Sequence, residues 1–362
     1  MNSTLSVVVG GAFGSEAKGA VTARLARMTQ RNSPGTEVHV VRVAGHNAGH
    51  TAYDETGRPW ALRTVPVAAV IDPAVTLHIA PGSEVNPAVL MDEVRSLEDA
   101  GIMVRDRLYI STAATWLDEG HIAEEGGRQM HERTGSTAKG VGAARAARVM
   151  RTARQIGEWE ALVKYGIPVS NHDQMLRHLA TGDHHVIIEG TQGYGLGVHT
   201  RFYPLTTSSD CRAIDFLAMA GLDPTAFDDY EVWVVMRRYP IRVAGPSGPL
   251  KGETSWEDLG LPEERTTVTK KVRRVGEWDS QLAWEAVEAN GGPRVVKLAF
   301  TMADQAIPGI RDIDGKMDDA VHYMNGDDVY ALQSLLDMVH SDTGASVQLI
   351  GTGPNSMIER AL

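Results

Sequence analysis

Short apolar runs recur along the chain, at Leu5–Val9, Val38–Val43, Val75–Ala80, Leu108–Ile110, Val186–Ile188, Val232–Met236, Val295–Leu298 and Val347–Ile350. They have the length of strands, and their largely apolar character is that of strands buried on both faces. Helix-length amphipathic stretches lie between several of them, among them Pro87–Ala100, Cys211–Ala220 and Val329–Val339. This alternation predicts an α/β fold, a mostly parallel central sheet flanked by helices, in a single large domain spanning residues 1–362. The Pro- and Gly-rich segment Gly245–Leu261 reads as a loop within that domain, because strand and helix patterns continue beyond it without a change of composition.

Composition agrees with an ordinary globular protein. The 362 residues are 43% hydrophobic, enough for a large core, and no run reaches the ~18 apolar residues of a membrane-spanning helix. Lys and Arg number 35 against 46 Asp and Glu, so the surface as a whole repels nucleic acid and anionic membranes. A phosphate site must therefore be local, built from backbone amides and a few cations. One cysteine, Cys211, allows no internal disulfide, and the chain enters a strand pattern at once, without a signal sequence; the expected compartment is the cytoplasm.

The first chemical signal is the loop GGAFGSEAKGA, Gly10–Ala20, between a strand pattern and a helix pattern. Glycines let amides turn inward around an anion, a helix N-terminus adds partial positive charge, and Lys18 can reach a phosphoryl oxygen. It is not a Walker A loop, since Gly19 rather than Ser or Thr follows Lys18. The second is AGHNAGHT, Ala44–Thr51, two histidines among small residues after another strand. Histidine moves protons near neutral pH, and small neighbours admit a substrate. A helical zinc pair is disfavoured by Gly45, Asn47 and Gly49 and by the lack of a nearby carboxylate or cysteine.

Together these loops resemble, in order and spacing, the glycine-rich signatures of the adenylosuccinate synthetase family, and the resemblance continues through GSTAKGVG (135–142), EGTQGYGLGVHTRFYPLTTSS (189–209), TTVTKKVRRVG (266–276), KLAFTMAD (297–304) and GTGPNS (351–356). It implies a ligase that phosphorylates a purine 6-oxygen from a triphosphate and then displaces the phosphate with the amine of L-aspartate. The residues implied at the monophosphate are Ser15, Asn47, Thr137, Gln192, Thr207, Lys271 and Arg151, the last reaching across a homodimer into the partner's site. Thr267, Val268, Thr269 and Arg273 are implied at the aspartate, with Arg274 beside them. Gly14, Ser15, Glu16, Ala17, Lys18, Gly19, Gly45, His46, Asn47, Arg273, Lys297, Ala299, Gly351, Thr352 and Gly353 are implied at the triphosphate. Mg²⁺ is expected at Ser15 and the Gly45 carbonyl, and catalysis at Ser15, Lys18, His46 and Gln192.

Three departures from the family pattern refine this expectation. Ser15 stands where most of the family has the aspartate that takes the N1 proton of inosine monophosphate, and a serine hydroxyl lacks that basicity. A phage-associated branch, the 2-aminoadenylosuccinate synthetases, is similar in having serine there, and acts on dGMP. Ala299, placed at the aspartate of a guanine-reading Lys-Leu-Asp motif, removes an acceptor and points to ATP or dATP as donor. Lys271 replaces an arginine near the ribose and is compatible with deoxyribose. The expected partners are thus dGMP, L-aspartate and ATP or dATP. The alternatives are an ordinary synthetase using inosine monophosphate and GTP, and an inactive nucleotide-binding regulator.

Overall fold

All eight apolar runs become strands of one sheet. The structure is a computed structural model that describes residues 3–360, apart from 44, 159–161, 163–165, 168, 171–178, 180 and 267–269. In chain order the strands of the large sheet are β1 (Thr4–Gly10), β2 (Glu37–Arg42), β3 (Thr76–Ile79), β4 (Leu108–Ser111), β5 (Val169–Ser170), β6 (His184–Glu189), β7 (Asp229–Arg237), β8 (Val296–Thr301), β9 (Gly315–Lys316), β10 (Ser346–Gly351) and β11 (Met357–Glu359). Their spatial order is β9-β11-β10-β8-β7-β1-β6-β2-β3-β4-β5, and every pairing is parallel except β10 with β11.

Parallel neighbours require crossovers that cover both faces, which explains the largely apolar runs. Val7 and Val9 of β1 belong to a core cluster with Phe216 and Leu217, whereas Val8 belongs to one with Val21 and Leu25. Phe216 and Leu217 lie on one helix (Ala213–Ala220), and Val21 and Leu25 on another, α1 (Lys18–Asn32). The predicted helices are present at Pro87–Asp99, Ala213–Ala220 and Gly326–Thr343. The first starts as its sequence prescribes, with Asn86 Oδ1 accepting from the amides of Ala88 and Val89 and proline at the first helical position.

The strand order reverses direction about β1, where β6 inserts beside it and β7 follows on its other side. At such a switch point in a parallel sheet the loops leaving the carboxyl ends of the strands splay apart and leave a crevice. The Gly245–Leu261 segment is irregular, and its Ser247 lies in the wall of one chamber.

Candidate active site

Loops following β1, β2, β6, β7, β8 and β10 line a cavity of about 510 Å³. The β1 loop turns back on itself with positive φ at Gly14 (86°), Ser15 (60°) and Ala17 (64°), a conformation that points successive N–H groups to one side. Its anchor is Glu16, fully buried, whose Oε1 accepts from the Gly14 amide at 2.7 Å and the Ala12 amide at 3.2 Å, while Oε2 holds Lys18 Nζ at 2.7 Å. Ser15, in contrast, is exposed into the cavity, and its carbonyl accepts from Arg237 Nη1 at 3.1 Å. Arg237 is itself paired with Glu264 at 2.5 Å.

The β6 loop presses directly against this turn. A Cβ at Gly193 would lie 2.6 Å from the Ala12 carbonyl and 2.7 Å from Glu16 Oε1, so only glycine fits there. The packing leaves Gln192, at φ 61°, facing the large cavity and also a smaller chamber of about 100 Å³. Thr137, Thr207 and Asn47, three of the residues the resemblance implies at the monophosphate, line that smaller chamber. Phe13, Gln192, Leu196 and Val243 are common to both walls. Arg242 also lines the small chamber and was not legible in the sequence. Its guanidinium lies 4.0 Å over the Phe13 ring, and burial, helped by Arg274, pulls its pKa down to about 10.

Three sequence expectations are corrected here. Of the two histidines in Ala44–Thr51, it is His50 and not His46 that lines the cavity. His50 Nδ1 is 2.5 Å from Glu189 Oε1 and also meets Arg42, whose guanidinium pairs with Glu189; both of those partners are fully buried. That leaves Nε2 as the ring nitrogen available to a ligand. Burial, and then Arg42, lower the His50 pKa to about 4 against the opposing pull of Glu189. His46 lines neither chamber; it is buried, its Nδ1 lacks a hydrogen-bond partner, and burial likewise lowers it to about 4. Second, the Gly45 carbonyl accepts from the Ala48 amide at 3.0 Å within a turn, and it is Gly49 that borders the cavity.

The third correction concerns the base of the triphosphate. Ala299 sits in the middle of β8, paired with Val235 and Leu349 and fully buried in the core, because the strand runs on to Thr301. Lys297, nearer the amino end of the same strand, is bound to Glu231. Neither reaches the cavity. The residues beyond the carboxyl end do: Met302, Asp304 and Gln305 line it next to Gly351 and Gly353 of the neighbouring strand's loop. Asp304 therefore supplies a carboxylate at the wall where Ala299 had implied none; burial raises its pKa, and Arg311 at 3.2 Å opposes that shift. Thr352 is fully buried and bonds Ile313 O and Ser356, bracing its loop from behind.

The remaining candidates divide. Gly14, Glu16, Ala17, Lys18, Gly19 and Arg273 line the large cavity. Arg274 does not; its guanidinium is committed to Glu253, Ser247 and Gly248. Lys271 is exposed, with Nζ 3.5 Å from His131 Nε2, and Arg151 is exposed at the end of the helix Val141–Met150. Thr267, Val268 and Thr269 lie outside the described residues.

A glycine-rich turn ending in Lys18 borders the large cavity, and Phe13, Gln192, Leu196 and Val243 form the wall it shares with the smaller chamber, an arrangement suited to holding a phosphate group beside a second ligand. The family model of adenylosuccinate synthetase matches residues 7–166 and 160–314. The adenylosuccinate synthetase of Methanocaldococcus jannaschii is 31% identical over 355 residues, covering 97% of this chain and 94% of its own length. That of Methanococcus maripaludis strain S2 is 32% identical over 357 residues, covering 97% and 96%. Among solved structures, the cyanophage S-2L succinoaminodeoxyadenylate synthetase, PurZ, bound to dGMP and to dATP as an energy donor, aligns with a TM-score of 0.78 at 26% identity, over 99% of this chain and 96% of its own. The fully ligated adenylosuccinate synthetase of Plasmodium falciparum shares the fold, with a TM-score of 0.81 at 17% identity over the whole of both chains. The chain belongs to the adenylosuccinate synthetase family and is a C–N-forming ligase.

Proposed function

We propose that the enzyme joins L-aspartate to position 6 of dGMP, consuming ATP or dATP, and yields 2-amino-2′-deoxyadenylosuccinate, ADP or dADP, and phosphate. The observation that carries this reading is Ser15, exposed in the cavity beside Gln192 at the position where most of the family has aspartate. Guanine carries a 2-amino group next to N1. A carboxylate gripping N1 crowds that group, whereas a serine hydroxyl is shorter, neutral and able to accept from either N–H. The cyanophage neighbour, with dGMP and dATP bound, supports both the acceptor and an adenine donor.

In this reaction the purine 6-oxygen attacks the γ-phosphorus, the nucleoside diphosphate leaves, and the amine of aspartate displaces the 6-phosphate. Lys18, held in place by Glu16, and the amides of the β1 loop stabilise the charge on the transferred group. His50, held through Nδ1 by Glu189, turns Nε2 toward the reacting groups to carry a proton to or from them, and Gln192 orients the purine between the two chambers. Arg273, lining the large cavity, pairs with a carboxylate of aspartate.

The cavity suits Mg²⁺ carried in on the triphosphate. Glu16, Glu264 and Asp304 are committed to Lys18, Arg237 and Arg311, so the chain would offer the ion mainly the Ser15 hydroxyl and the Gly49 backbone, and Mg²⁺ accepts such sparse protein ligation when phosphates and water complete its shell. When bound, it neutralises charge on the phosphates.

Phosphate release tests the assignment across dGMP, GMP and IMP, always with aspartate, for the wild type and Ser15→Asp. Wild-type turnover is highest with dGMP, and Ser15→Asp lowers it. Faster turnover of IMP by the wild type refutes the proposal. A second reading, an ordinary synthetase using IMP and GTP, is favoured at the donor wall by Asp304, whose carboxylate can accept from guanine N1 and N2.

A further inference from the structure

At the end of the sheet opposite the nucleotide cavity, three metal-ligating side chains converge. Glu37 opens β2, His39 follows two residues later on the same face, and His184 opens β6 in register beside Glu37. Glu37 Oε2 lies 3.6 Å from His39 Nε2 and 3.4 Å from His184 Nδ1, and the three ligand atoms are all within 4.8 Å of one another. Zinc bonds to nitrogen and oxygen of about 2.0–2.2 Å at tetrahedral angles place neighbouring ligands about 3.3–3.6 Å apart. Both measured separations match one edge of that tetrahedron.

The surroundings orient the two rings toward this point. His39 Nδ1 is 3.1 Å from His78 Nε2, so a proton on His39 Nδ1 donates to His78 and leaves the Nε2 lone pair toward Glu37. This is the outer-shell arrangement that fixes the tautomer of metal-binding histidines. His78 is held in turn by stacking on Tyr109, ring centroids 5.6 Å apart. His184 is seated against bare backbone: a Cβ at Gly182 would fall 2.0 Å from its Nε2, so its Nδ1 is the nitrogen that faces Glu37. Both histidines are buried and Glu37 is exposed, so the cluster sits where the core meets the surface. Protonating both rings would set two imidazolium charges 5.0 Å apart in a buried place, whereas one dication engages both neutral rings and the carboxylate together.

We infer that Glu37, His39 and His184 bind a zinc-class divalent transition metal, with His78 as outer-shell partner, at a site separate from the nucleotide cavity. The test uses full-length protein in saturating Mg²⁺, titrated with Co²⁺ as a visible probe and then with Zn²⁺ in competition. One equivalent of Co²⁺ with the intense bands of a tetrahedral N/O site, displaced by one equivalent of Zn²⁺, is expected. Glu37→Gln, at an exposed position, and His184→Gln each abolish the bands while leaving the circular dichroism of the protein unchanged. His78→Leu weakens binding about 10–100-fold, and His78→Gln, which retains an acceptor, restores most of it. Absence of tetrahedral cobalt bands, or bands that persist in the Glu37→Gln/His184→Gln double variant, overturns the inference.

Discussion

The two histidines of the second glycine-rich loop make opposite predictions, and one pair of variants separates them. In His50→Asn the amide occupies the place of Nδ1, so the contact with Glu189 survives while the ring nitrogen that serves the ligand is removed. Proton transfer or donation by such a group contributes about 10²–10⁴-fold, or ~2.7–5.5 kcal/mol of barrier, and kcat should fall by that amount. His46→Asn alters a buried ring that lines neither chamber, so kcat should stay within about tenfold, ~1.4 kcal/mol, whatever the cost in stability. Phosphate release at saturating dGMP, aspartate and ATP measures both. Because His50 is held at about 4, the acid limb it controls falls near pH 4 rather than near the ordinary 6.5. A larger loss in His46→Asn than in His50→Asn, or an acid limb at 6.5 that disappears in His46→Asn, refutes the assignment.

Asp304→Asn should shift the kcat/KM ratio for GTP over ATP by about tenfold or more toward ATP, since a charged acceptor is lost at the base wall; an unchanged ratio means Asp304 does not read the base. If Arg151 serves the partner's site, Arg151→Ala and His50→Asn dimers, each weak alone, should regain activity when mixed, and a monomeric active wild type in sedimentation contradicts this. Stability should fall between pH 6.5 and 4, because His46, His50 and His185 stay neutral in the fold down to about 4 while the unfolded chain takes up protons from 6.5. Each contributes about 1.4 kcal/mol per pH unit in that window, a limiting slope of ~4 kcal/mol for the three, partly offset by Glu84 and Glu93, which burial raises. His185→Gln should flatten the slope of urea-derived stability by about a third, and a wild type equally stable at pH 7 and 5 would show the buried histidines to be mis-assigned.

The strands were legible because burial on both faces leaves a largely apolar signature, and the loops because glycine marks the turns that follow them. What the sequence could not show was which residue of a loop faces inward. His46 and His50 share one short motif, and the choice depends on a turn closed by the Gly45 carbonyl and on Glu189, which is 139 residues from His50. Ala299 was misplaced because the strand end is not marked: Phe300 and Thr301 continue β8, and only from Met302 onward does the chain leave the sheet. The signal that could have found Asp304 was its position a few residues past an apolar run, where parallel-sheet sites are built. Arg242 had no such marker, since its place depends on the bare backbone of Gly248, whose Cβ would lie 2.7 Å from the guanidinium.

Because each strand end contributes its own loop, the walls proposed to meet the acceptor and the wall proposed to meet the donor base are encoded far apart in the chain. Ser15 and Gln192 arise from β1 and β6, whereas Asp304 and Gly353 arise from β8 and β10. Under the proposed function, acceptor choice and donor choice are therefore written in separate loops, and each can drift over evolutionary time by substitutions in its own loop. On that assignment a lineage could change the purine it modifies by rewriting a single turn, while keeping the same phosphoryl donor.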